Sequence, residues 1–195
     1  MTTTLSKTPA KDNCLTVSGI SWTQLEMLET AFAEIAGVRL VYLDSILEIM
    51  TLSPEHEEYK CTFRALVEAY LRENKIRFYM KGSPTLGSEE KKAKKEPDES
   101  YNIGTKKETP DLALEVVFTS GGINKLELYQ RLEVPEVWFW EDGVLSLYHL
   151  RDNGYERINR SELLPDLDIE LLSRYITYHD QYDAVEEFTQ ILRDS

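Results

Sequence analysis

Asp111 and Glu115 stand four positions apart in the run PDLALEVVF, and Glu115 sits between Leu114 and Val116. A carboxylate inside an apolar strand is costly to bury unless it is paired or binds a cation. Side chains alternate along a strand, so both residues point to one face. Asp98 follows Pro97 at the start of another candidate strand, and Lys125 falls in the first turn of the next expected helix. Carboxylates on adjacent strands can hold a hard cation such as Mg²⁺ through oxygen, with water in the remaining positions. Such a cation polarises a phosphodiester oxygen and lowers the pKa of a bound water. A nearby lysine can stabilise developing charge or help position and deprotonate that water. The constellation points to metal-assisted phosphodiester hydrolysis.

Each residue also has a plainer reading. Asp98 alone is an ordinary turn carboxylate, and Asp111 is balanced between ligand and strand entrance. Glu115 could face solvent on an edge strand, but the matching Asp111 favours a site. Lys125 could be a solvated helix residue; a positive charge in a first turn opposes the helix dipole, which tilts it toward function. His56 reads as polar surface, and Glu57 and Glu58 suit the positive end of a helix dipole. Cys61 reads as a small buried apolar residue.

The elements that must position these groups follow from patterning. Ser21 to Ile35 reads as a helix with a Ser21–Gln24 capping box. Val38–Tyr42 and Ile46–Met50 flank a Leu43-Asp44-Ser45 turn as a β-hairpin. Ser53 caps a second helix that opens on Pro54 and runs to about Glu73. Lys75 to Leu86 is strand-like, Ser88 to Glu96 is a charged loop, and Pro97 to Ile103 is a short strand. Strand Leu112–Phe118, a Thr119–Gly122 turn, a helix over Ile123–Leu132 and strand Glu136–Trp140 form a right-handed crossover candidate. Asp142-Gly143 turns the chain into Leu145–Leu150. Helices over Leu171–Tyr175 and Asp183–Leu192 close the chain. The sum is an α/β (α+β) domain with a mixed central sheet flanked by helices.

The chain has 195 residues, enough for one domain with a sizeable core. We expect residues 1–14 to be a flexible arm and 15–195 a single domain. No apolar run approaches the roughly 20 residues needed to cross a bilayer. Two cysteines, Cys14 and Cys61, make neither a metal motif nor a disulfide scaffold. A reducing cytoplasm is the expected setting. The net charge of −13 argues against strong nonspecific attraction to nucleic acid. The local exception is Lys91, Lys92, Lys94 and Lys95, read here as a solvated loop rather than a phosphate-binding patch.

Four segments carry a resemblance to a known family: LEIMTLSPEHEEYK (47–60), EPDESYNIG (96–104), PDLALEVVFTSGGINK (110–125) and VPEVWFW (134–140). In that order and spacing they resemble the Uma-type restriction endonucleases of the PD-(D/E)XK nuclease superfamily. The resemblance implies a restriction-endonuclease-like core, Mg²⁺ dependence with Mn²⁺ able to substitute, and a DNA substrate. It makes Asp98 the first metal-binding aspartate and Glu115 the acidic member of the second motif. Asp111 falls in the neighbouring PD repeat. Glu57 or His56 falls where a helix often contributes a further acidic group. The superfamily lysine would stand two residues after Glu115, where this chain has Val117; Lys125 fills the place of a lysine supplied from the next helix. Ser45 and Glu133 stand where the family commonly has glycine.

Two other readings remain open. The missing in-strand lysine and the acidic balance suit a catalytically degenerate nucleic-acid-binding or protein-interaction module on the same fold. The aromatic hairpin around Trp138–Tyr148 suits a homodimer interface.

Overall fold

The computed structural model describes residues 12–118 and 121–194. The chain opens with β1 (Asn13–Ser18), α1 (Trp22–Phe32) and the hairpin β2 (Val38–Leu43) and β3 (Ile46–Thr51). Then come α2 (Pro54–Glu73) and the short strands β4 (Phe78–Met80), β5 (Leu86–Ser88), β6 (Ala93–Lys95) and β7 (Glu99–Ile103). β8 (Leu112–Val117), α3 (Lys125–Leu132) and β9 (Glu136–Glu141) follow, then β10 (Val144–Arg151) and β11 (Gly154–Ile158). Helices α4 (Ile169–Ile176) and α5 (Gln181–Asp194) complete the described chain.

Among the described residues the strands form two sheets, ordered β1-β3-β2-β6-β5 and β11-β10-β9-β8-β7-β4. β8 and β9 run parallel across the α3 crossover, and the other pairs are antiparallel. This is a mixed α+β architecture of restriction-endonuclease-like kind.

Every residue of β8 is buried. Its alternation assigns the two faces. Leu112, Leu114 and Val116 pack with Trp138 and Trp140 against Phe63, Leu66 and Val67 of α2 and against α4 and α5. Ala113 and Val117 face the other way, toward Val41, Met50 and Ala93 of the first sheet and Leu128 and Tyr129 of α3. Glu115 therefore points into the space between the two sheets and α3. Trp138 and Trp140 belong to the core, so they supply no interface aromatic.

The helix starts follow the expected chemistry. Ser21 and Gln24 form a complete capping box, and Ser53 Oγ accepts from the His56 amide with Pro54 in the first turn. Other parts differ. The stretch expected as a charged loop holds β6, a strand only three residues long. Its lysines are also not a solvated run: Lys91 pairs with Glu133 at 2.5 Å, Lys94 with Glu29 at 2.7 Å and Lys95 with Glu115 at 2.9 Å. Cys61 is exposed on α2 rather than buried. Asn13 and Cys14 already pair with Thr51 and Met50. The rest of the expected arm, residues 1–11, and Thr119–Ser120 of the expected turn lie outside the described residues.

Both residues that replace the family's glycines sit in the left-handed region. Ser45 has φ +68° after Asp44 at +45°, and Glu133 caps α3 at φ +59°. Side chains there are strained where glycine is not. We expect Ser45→Gly and Glu133→Gly each to stabilise the fold by roughly 0.5–1 kcal/mol. The urea midpoint checks this; a midpoint lowered by either change would contradict it.

Candidate active site

The β7–β8 register pairs Glu99 with Leu114. One step further sets Asp98 opposite Glu115, and directly opposed residues share a face. The carboxylate of Asp98 closes that step itself, with Oδ2 accepting from the Val116 amide at 2.8 Å. Asp98 is 9 % exposed and Glu115 2 %.

Lys95 joins them. It arrives from β6 in the other sheet, is 6 % exposed, and sets its Nζ 2.9 Å from Glu115 Oε2. Burial alone would push this ammonium down. Glu115, Asp98 and Glu48 outweigh it and hold Lys95 above the usual lysine value. The Tyr129 ring lies 5.9 Å from the same ammonium, and the Tyr129 hydroxyl donates to Glu115 Oε1. Burial and then the Glu115 charge push that phenol well above its ordinary value, so it remains a donor.

A second chain of contacts fixes Asp98. His56 Nε2 is 3.2 Å from Asp98 Oδ1, and His56 Nδ1 is 2.8 Å from Asp12 Oδ2. Asp12 Oδ1 in turn accepts from the Ser53 amide at 2.7 Å. Burial disfavours the imidazolium, but the hydrogen bonds and charges of Asp98 and Asp12 raise His56 above its ordinary value. Burial likewise pushes Asp98 up. The His56 bond and charge, Lys95 and the Val116 amide outweigh burial and hold the carboxyl below the usual aspartate value.

Glu48 lies on β3 and is fully buried. Its Oε1 accepts from the Ile123 amide at 2.7 Å, while Oε2 has no partner.

Asp98 and Glu115 thus meet. Asp111 does not join them: four residues along a strand is about 13 Å. Its carboxylate is engaged at the other end of β8, by the Ile103 amide at 2.9 Å and Lys107 at 2.6 Å. Glu57 points outward and pairs with Lys60 at 2.5 Å. Its neighbour His56, expected on the surface, is the residue of that turn which enters the site. Lys125 opens α3 behind the Asn124 cap and lines a hollow of about 260 Å³ with Val117 and Gly121. Glu115 and Asp98 have Lys95 as their lysine instead.

Lys95 and Glu48 went unseen in the sequence. For Glu48 a signal existed: a glutamate between Leu47 and Ile49 poses the same burial problem as Glu115. For Lys95 there was none, because two lysines in a charged run carry no strand pattern.

The donor set is chemically suited to a hard divalent cation, since Mg²⁺ is bound by one or two carboxylates plus water. Among the described residues no three His, Cys, Asp or Glu side chains already form a cage for an ion. The charge count is nevertheless unbalanced. Asp98, Glu115 and Glu48 face Lys95 and His56, and His56 is shared with Asp12. Even with His56 counted in full, one negative charge is left over among the described residues. Within this cluster the Glu48 Oε2 oxygen is also left without a hydrogen-bond partner.

The family model described as "Putative restriction endonuclease" (Uma2) matches residues 22–177. The chain belongs to the Uma2 family. No curated protein matches it significantly. The match spans β3, β6, β7, β8 and α3, so Glu48, Lys95, Asp98, Glu115, Tyr129 and His56 all fall within the Uma2 region.

His56 gives this site a pH signature. Its value is raised on folding, so its contribution to stability is complete below about pH 6.5 and is lost as pH rises through the folded value. Asp98 is lowered, so its contribution is complete above about pH 3.9 and is lost as pH falls through its folded value. The stability gap between wild type and His56→Gln should therefore be larger near about pH 5.5 than near about pH 8.5. Urea unfolding at both pH values measures it; an equal gap would mean that the imidazolium charge contributes nothing.

Proposed function

We propose that this protein is a divalent-metal-dependent endodeoxyribonuclease that hydrolyses phosphodiester bonds, with Mg²⁺ as the ion and Mn²⁺ as a substitute. The supporting observation is the buried excess of carboxylate around Asp98 and Glu115, with one oxygen unpartnered. Isolated buried negative charge is expensive, and a divalent cation offsets it. Membership of a restriction endonuclease family supports the reaction class and DNA as substrate.

Asp98 and Glu115 would hold the ion. When bound, it would supply Lewis acidity toward a phosphodiester oxygen and an activated water. His56 and the Val116 amide fix the Asp98 carboxylate from two sides. Tyr129 fixes Glu115 from behind. Lys95 would stabilise charge on the reacting phosphate, a role supported by its position against Glu115. Lys125, in the first turn of α3, is assigned the outer contact to the phosphate backbone.

Cleavage of supercoiled plasmid with Mg²⁺ or Mn²⁺, against a chelated control, tests this reading. Glu115→Gln should abolish cleavage. Lys95→Ala should lower it by roughly 10²–10³-fold. Lys125→Ala should weaken DNA binding with a much smaller effect on turnover. A folded wild-type protein that cleaves no DNA with either metal would end the proposal.

The second reading, a catalytically silent module on the same fold, has one observation in its favour. Both oxygens of Glu115 are already engaged, by Lys95 and Tyr129. Calorimetry separates the two: the silent module binds no Mn²⁺, whereas the nuclease binds it and loses binding in Asp98→Ala.

A further inference from the structure

Glu48 is placed where the fold calls for an apolar residue. On β3, Leu47 and Ile49 face α1, while Ile46 and Met50 face the space between the sheets. Glu48 shares the inward parity of Ile46 and Met50, between Thr16 on β1 and Val41 on β2. It brings a fully buried carboxylate into the same space as Glu115.

Only half of that carboxylate has a structural use. Oε1 holds the chain before α3 through the Ile123 amide at 2.7 Å. Oε2 has no hydrogen-bond partner, and the Glu48 charge is one of those that hold the Lys95 ammonium above its usual value. Gly121 leaves room for the carboxylate itself: a Cβ at that position would collide with both of its oxygens.

We propose that Glu48 is the third carboxylate of the site, its free oxygen accepting hydrogen bonds from water carried by the divalent ion that Asp98 and Glu115 hold. The inference rests on the metal reading given above. Water-mediated contact needs no three-ligand cage, and Mg²⁺ and Mn²⁺ sites on few carboxylates retain several waters. Groups in this outer position orient the ion's ligands, and their loss costs roughly 10–100-fold in metal affinity. Gly121 is the residue that leaves room for this carboxylate.

Glu48→Gln separates this role from a structural one. The glutamine carbonyl can still accept from the Ile123 amide, so a purely structural Glu48 predicts unchanged Mn²⁺ affinity. The proposal predicts a Kd raised roughly 10–100-fold in calorimetry, matched by a smaller Mn²⁺-induced rise in Tm. Should Glu48→Gln fail to fold, Gly121→Ala decides, since its methyl group crowds the same carboxylate and should weaken Mn²⁺ to a similar degree. Wild-type affinity in the folded variant overturns the role of Glu48 and leaves the Asp98–Glu115 reading standing. A wild-type protein that binds no Mn²⁺ overturns both.

Discussion

The buried pair between Lys95 and Glu115 is the contact on which this molecule is organised. Lys95 belongs to one sheet and Glu115 to the other, so the pair stitches the two layers at the point where the hydrophobic contact between them is interrupted. Buried ion pairs are poor sources of net stability, because desolvation offsets the attraction. Two well-packed aliphatic residues would serve a purely structural purpose as well or better. Here the pair is surrounded by Asp98, Glu48, Tyr129 and His56, which add further polar groups to an expensive location. Removing one partner of the pair would leave the other buried and uncompensated.

The support around the pair is rigid for identifiable reasons. Glu115 sits in a strand buried on both faces, flanked by Leu114 and Val116 in the helical layer. Asp98 is bonded to the backbone of the strand opposite it. His56 is fixed by the first turn of a 20-residue helix whose cap, Ser53, also donates its amide to Asp12. The groups of the candidate site therefore hang on strands and a helix start, which hold geometry more tightly than loops do.

Much of the frame could be read in the residues. The run from Leu112 to Trp140 is apolar enough, and punctuated enough, to announce strand, helix and strand, and all three are present. Asp98 and Glu115 stood out because a carboxylate in such a run has few harmless explanations. The parity argument that coupled Asp111 to Glu115 was right about the face and silent about distance along the strand. Lys95 was hidden for a different reason. A three-residue strand has no periodicity, and the partner that makes sense of a buried lysine lies 20 positions away in another sheet. His56 was hidden because a helix start tells which residues are near the cap, not which of them faces inward. Ser45 and Glu133 show the converse: backbone geometry overrode residue preference at both, with Glu133 itself paired to Lys91 at 2.5 Å and Asp44, the left-handed residue before Ser45, paired to Arg131 at 2.5 Å.

Pro97 lies between Lys95 and Asp98 and has a consequence for how the site is assembled. A proline forces the residue before it, Glu96, away from helical backbone and into an extended form. The amine and the first carboxylate are thus carried on one stiff tetrapeptide that leaves the first sheet and enters the second. The proline narrows the range of separations open to the two groups before any tertiary contact forms. The contact of Lys95 with Glu115 then joins the layer that this segment leaves to the layer that it enters.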